Sequence, residues 1–221
     1  MRAYGYCERL GAELWAEPWN ALTNGAFLLA AFAALLLWRR AGGHDRPALI
    51  LILLVFAIGI GSFLFHTMPQ PWTLAADVVP IQLFAFSYFG LALARFLRLR
   101  PVATGLGTLA FLGFALSLSW GLAPLLPTGL RGSAGYGAFL LGLVGMAAAL
   151  WRLPGQAETA RLIGLAGLVF ALSLTFRTLD GPLCAGFPLG THWLWHLLNA
   201  TVLYLLLRAA IRRGTGTVAD R

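Results

Sequence analysis

Gly190-Thr191-His192-Trp193-Leu194-Trp195-His196-Leu197-Leu198-Asn199 opens an apolar run that continues to Leu207. A run of this kind suits a membrane-spanning helix. On such a helix His192 and His196 project from one face, one turn apart, with the spacing of a metal-ligand pair. Two imidazoles at the rim of a membrane helix cost free energy unless they find partners, which makes them candidates for a functional site. The plainer alternative places them in an interfacial aromatic belt with Trp193 and Trp195.

The remaining composition favours a membrane protein throughout. The chain of 221 residues is 59% hydrophobic and only 11% charged, and its mean hydropathy is +0.79. These values lie far from those of soluble domains. The net charge of +8 comes from arginines, with no lysine. In a soluble chain that balance would suggest a nucleic-acid partner; here the arginines sit in short loops, where they set topology and meet lipid headgroups. The polar first residues, Met1 to Glu17, do not have the form of a cleavable signal peptide.

Seven apolar runs are expected to span the membrane: 20–38, 48–65, 78–94, 102–120, 136–150, 162–176 and 192–207. The breaks between them carry Pro, Gly and Arg, as at Pro69-Gln70-Pro71 and Leu153-Pro154-Gly155. The expectation is an all-α fold, one seven-helix bundle occupying residues 1–221. Arg39, Arg40, Arg46, Arg95, Arg98, Arg100, Arg152, Arg161, Arg208, Arg212, Arg213 and Arg221 fall in the odd loops and at the C-terminus. Only Arg2, Arg9, Arg131 and Arg177 fall on the other side. The positive-inside rule then puts the N-terminus outside and the C-terminus in the cytoplasm.

With that topology His66, Asp77, His192 and His196 all reach the outer end of the bundle, and Ser62 lies one turn below His66. Three imidazoles with an open fourth position form the pattern of a catalytic zinc site. Singly, each residue has a plainer role: His66 at the interface, Asp77 capping the third helix, Ser62 as a small packing residue. Their coincidence at one depth, in a chain with four histidines, favours the metal site. Soluble metalloproteases carry a glutamate beside the first histidine of His-Glu-x-x-His; Trp193 holds that place here, so Asp77 is the available general base. His44 is expected on the cytoplasmic surface.

Four other features leave alternatives open. Cys7 and Cys184 share the expected outer side, where they either pair or stand as unrelated thiols. Glu8, Glu13 and Glu17 make the tail acidic, as a calcium site or as solvated charge. Arg177 and Asp180, three apart, read as a local ion pair. Asn199, one turn below His196, either orients a ligand or bonds a neighbouring helix.

Tyr6-Cys7-Glu8, Ala16-Glu17-Pro18-Trp19-Asn20-Ala21-Leu22-Thr23-Asn24, Gly61-Ser62-Phe63-Leu64-Phe65-His66-Thr67 with Asp77 and Pro80-Ile81, and His192-Trp193-Leu194-Trp195-His196 together resemble the alkaline ceramidases. These belong to a wider group of seven-helix membrane hydrolases that includes the progestin and adipoQ receptors. The short loops look like those of a bacterial member, which implies the inner membrane. The resemblance implies an intramembrane zinc amidase that cleaves the N-acyl bond of a ceramide-like lipid to a fatty acid and an amine base. It implies zinc on His66, His192 and His196, flanked by Ser62 and Asp77, and a disulfide between Cys7 and Cys184. It also implies a calcium site to which Glu8 and Glu17 correspond, although an aspartate usual before the cysteine is missing around Tyr4 and Gly5, and Leu10 replaces a common asparagine. The expected partner is membrane lipid, with no nucleic acid and no protein partner. The rivals are a zinc hydrolase of another N-acyl or ester lipid, and a seven-helix lipid receptor with structural zinc. A transporter is disfavoured, since no charge falls at mid-membrane and no matched pair of interrupted helices appears.

Overall fold

The computed structural model describes residues 6–11 and 13–219, without the side chains of 128, 129 and 215–219. Arg2, Tyr4, Gly5 and Arg221, which entered the sequence argument, lie outside the described residues. Within them, seven helices are long and apolar enough to cross a membrane. They are α1 Pro18–Arg40, α2 Arg46–Thr67, α3 Pro71–Arg95, α4 Pro101–Leu125, α5 Ala134–Trp151, α6 Ala157–Leu183 and α7 His192–Gly214, the last continuing as helix to Ala219. The all-α seven-helix architecture read from the sequence is the one observed.

Local chemistry explains where these helices begin. α1, α2, α3 and α4 each carry proline in the first turn, where its missing N–H costs nothing and its fixed φ is already helical. Asp45 caps α2 by accepting from the Ala48 N–H at 3.3 Å. At α3, Gln70 and Thr73 form a reciprocal capping box. α3 therefore starts at Pro71, well before the run at 78, because the proline and the capping box open a helix that continues through Asp77. Asp77 lies inside this helix, so the reading that made it a helix cap gives way to a side chain with another task. α4 ends by widening over Ser117–Leu122 and then tightening over Ala123–Leu125, carrying the helix past Trp120.

Successive helices pack side by side, and α7 returns to pack on α1, α2 and α3. α2 and α7 are the two most enclosed spans. Two glycines let α2 sit close to both neighbours. A Cβ on Gly59 would lie 2.9 Å from Leu28 Cδ2 of α1, and one on Gly61 would lie 1.9 Å from the Ala76 carbonyl oxygen of α3. Below them a continuous core joins Phe27, Ile52, Ile58, Phe84, Ile163 and Leu207.

The two ends of the bundle differ. At one end Arg95 spans both Asp45 oxygens, at 2.6 and 2.9 Å, and donates to the Ala210 carbonyl at 2.7 Å, tying α2, α3 and α7 together. Arg212 and Arg213 reach Glu158, Thr159 and Gly155 at the same end. At the other end a disulfide joins Cys7 to Cys184, so the N-terminal tail is bound to the connection between α6 and α7. That end carries His66, His192 and His196.

Candidate metal centre

His66 stands in the last turn of α2, and His192 and His196 form the first turns of α7. Their side chains are 1%, 3% and 1% exposed. The ring centroids lie 4.7 to 5.2 Å apart, and one ligand nitrogen from each falls within 4.8 Å of the other two. The sequence placed three histidines at one depth, and the structure brings them into one cluster.

The second nitrogen of two rings has a defined partner. His66 Nδ1 lies 2.6 Å from Glu17 Oε2, and His196 Nδ1 lies 2.9 Å from Thr23 Oγ1. The Thr23 hydroxyl donates to the Trp19 carbonyl at 2.7 Å, which leaves it to accept the imidazole N–H. Both rings then turn a lone pair on Nε2 inward. Those two Nε2 atoms, and Nδ1 of His192, are buried without a hydrogen-bond partner. Buried polar atoms left unpaired are costly and rare. Three of them converging is the donor set a transition metal takes, with a carboxylate and a hydroxyl orienting the ligands from behind. Thr23→Val keeps the side-chain shape and removes the acceptor; metal affinity in a competition titration is expected to fall about 10–100-fold.

Asp180, inside α6, supplies the third support. Its Oδ1 accepts the backbone N–H groups of Thr191 at 2.7 Å and His192 at 2.9 Å, and its Oδ2 accepts that of Cys7 at 3.0 Å. The carboxylate thus caps α7 from another helix, at the end where orphan N–H groups and the helix dipole favour an anion. The local Arg177–Asp180 pair expected from their spacing does not form. Arg177 instead donates to the Gly132 carbonyl at 2.8 Å and to Ser133 at 3.1 Å, and lies over the rings of Tyr136 and Trp195. Gly190 makes Asp180's reach possible: its φ is +69°, and a Cβ there would lie 2.2 Å from Asp180 Oδ1.

Ser62 is buried and its hydroxyl is a side-chain hydrogen-bond partner of the Asp77 carboxyl, which also lies within electrostatic reach of His66 and Arg177. The close approach at Gly61 sets this pairing across the α2–α3 contact. Tyr6 covers the cluster from the tail, its ring centroid 3.9 Å from that of His192 and 5.2 Å from that of His66. Burial pushes the Tyr6 phenol well above its ordinary range, with Arg177 opposing and Asp77 adding to the shift. Asn199 lines an apolar cavity beside the cluster, together with Phe84, Tyr136, Phe139, Trp195 and Val202.

Glu8 and Glu17 belong to no cluster of ligating atoms among the described residues. Glu8 accepts the backbone N–H groups of Trp19 and Asn20, at 2.6 and 2.8 Å, and burial raises its carboxyl against the pull of those donors. Glu17 is 1% exposed. Burial would push its carboxyl up, but the bonds from His66, Asn20 and Arg9 outweigh it and hold the group below its usual range. Glu17 holds the N-cap position of α1 yet makes no capping bond; its carboxylate turns to His66 instead. Asp180, Thr23 and Tyr6 were not singled out from the sequence as parts of the site. For Asp180 the one available signal was its type, since acidic residues number only eight in the chain; Thr23 and Tyr6 carried none.

No curated protein matches the chain in a sequence comparison. The family model described as Ceramidase matches residues 4–212, a stretch that holds all three histidines, Ser62, Asp77, Asp180 and both cysteines. The chain belongs to the ceramidase family.

Proposed function

We propose that the protein is a zinc-dependent amidase of the membrane that hydrolyses the N-acyl bond of ceramide or a closely similar lipid. The observation that carries this reading is the convergence of three unpartnered, buried imidazole nitrogens beside the Ser62–Asp77 pair. His66, His192 and His196 hold the metal. When bound there, zinc supplies Lewis acidity that makes water nucleophilic near neutral pH. Asp77 takes the proton of the attacking water and later hands it to the leaving amine. The Ser62 hydroxyl donates to the carbonyl oxygen as negative charge develops on it. The apolar cavity lined by Phe84, Phe139 and Val202 receives an acyl chain beside the reacting amide, and excludes water from its neighbourhood. By the distribution of arginines, the centre faces the extracytoplasmic side.

A panel of lipids tests the substrate class. Purified, zinc-loaded protein is incubated with ceramide, an N-acyl ethanolamine and a diacylglycerol ester, and products are identified by mass spectrometry. Ceramide is expected to yield free fatty acid and sphingoid base in equal amounts. Cleavage of the ester alone would overturn the amidase assignment in favour of an esterase.

A further inference from the structure

The resemblance noted in the sequence implies calcium in the N-terminal tail, on Glu8 and Glu17. Calcium takes six to eight oxygen ligands, drawn from carboxylates, carbonyls and water. In this chain the carboxylate oxygens are already engaged by N–H donors. Glu8 accepts the Trp19 and Asn20 N–H groups with one oxygen each. Glu17 Oε2 faces His66 Nδ1 and accepts from Asn20 Nδ2 at 3.0 Å. Glu17 Oε1 accepts from Arg9 Nε.

Arg9 makes the difference. It is 2% exposed, an unusual position for an arginine unless it is paired. Besides the Glu17 bond, its Nη1 donates to the Gly11 carbonyl at 3.4 Å and its Nη2 to the His66 carbonyl at 2.9 Å. One carboxylate and two backbone carbonyls form the kind of oxygen set a calcium ion would collect. They come from three places: the tail, the start of α1 and the end of α2. The His66 carbonyl belongs to the last turn of α2, where carbonyls lack helical donors and the dipole favours a cation. The guanidinium fork reaches all three acceptors at once, which a spherical ion does by coordination.

We propose that Arg9 is the tail's resident cation: its guanidinium takes the oxygen acceptors that calcium would otherwise bridge, so the tail docks over the histidine cluster without a divalent ion. The tail is joined to the bundle by the Cys7–Cys184 disulfide, by Asp180 on the Cys7 N–H, and by Arg9. None of these three links contains an exchangeable ion. Among the described residues, the Glu8 and Glu17 oxygens that calcium would bridge are therefore already held by N–H donors.

The test uses zinc-loaded protein in detergent, stripped of adventitious calcium, with calcium ion itself as the probe. Equilibrium dialysis against radioactive calcium is expected to find no stoichiometric binding up to millimolar concentration. The melting temperature is expected to be the same with and without added calcium. Arg9→Gln, measured without calcium, is expected to melt several degrees lower, because Glu17 is left buried without its counter-charge. One calcium per wild-type chain, with a raised melting temperature, would overturn the proposal. So would an Arg9→Gln variant that melts where the wild type does. If that variant does not fold, the wild-type calcium measurement still decides. Neither measurement reads hydrolysis, so a failure here is distinct from a failure of the amidase assignment.

Discussion

Asp77→Asn is expected to lower turnover of ceramide by about 10²–10⁴-fold, the usual contribution of a positioned general base. The metal content of the purified protein should stay at the wild-type value. The substitution keeps the shape of the side chain and a hydrogen bond to Ser62, and removes only the capacity to accept and release a proton. Asp77 stands on α3, whereas the histidine cluster is built from α2 and α7. The cluster's supports are Glu17, Thr23 and Asp180, none of them on α3. The site that holds the metal and the residue that moves the proton are thus separable in one variant. Metal analysis and steady-state kinetics on the same preparation check the result. An Asp77→Asn protein with full turnover would remove Asp77 from the reaction. A wild type that holds metal and binds lipid without turnover would favour the receptor reading.

The second large effect is expected at Gly61→Ala. A Cβ at this position would lie 1.9 Å from the Ala76 carbonyl oxygen and 3.0 Å from the Asp77 nitrogen. Both are backbone atoms, so no rotamer change relieves the clash. An ordinary contact begins at about 3.4 Å, so the two helices must separate by well over an ångström. Overpacking of this kind costs about 1–3 kcal/mol or more. The kinetic effect is larger, because the separation carries Asp77 away from Ser62 and the cluster. A misplacement near 1 Å at a reacting centre can cost about 100-fold. The expected result is a fall in kcat/KM of about 100-fold or more, with metal retained and a melting temperature lowered by a few degrees. Unchanged kinetics would mean that the α2–α3 approach does not set the geometry of the site.

What the sequence disclosed and what it hid have different physical origins. The seven helices were legible because burial in lipid demands long apolar runs, and hydropathy reads those directly. The ends of the helices were less so: α3 begins at Pro71, on the far side of the Asp77 that interrupts the apolar pattern, and its capping box satisfies N–H groups there. His192 and His196 were legible from helical spacing, and His66 from topology. Their supports were not. Asp180 reaches α7 across the α6–α7 connection through a turn that depends on Gly190 at positive φ. Its spacing from Arg177 pointed to a local pair, which the cation–π contacts of Arg177 with Tyr136 and Trp195 replace. Glu17 precedes Pro18 at a helix start, where capping is the ordinary expectation, yet its carboxylate faces a histidine 49 residues away. Arg9 counted in the sequence as one of few charges on the outer side, and its burial against Glu17 appears only when tail and bundle are assembled.

The proposed hydrolysis rests on a zinc ion held by the three histidines. This is tested most directly by metal analysis of detergent-purified wild type and His196→Ala, with hydrolysis of a fluorescent ceramide followed in the same samples. The expected result is about one zinc per wild-type chain, as for a single three-histidine site, and joint loss of zinc and fatty-acid release in the variant. Wild-type protein that releases fatty acid at full rate with no bound metal, or a His196→Ala variant that keeps both zinc and activity, would contradict it.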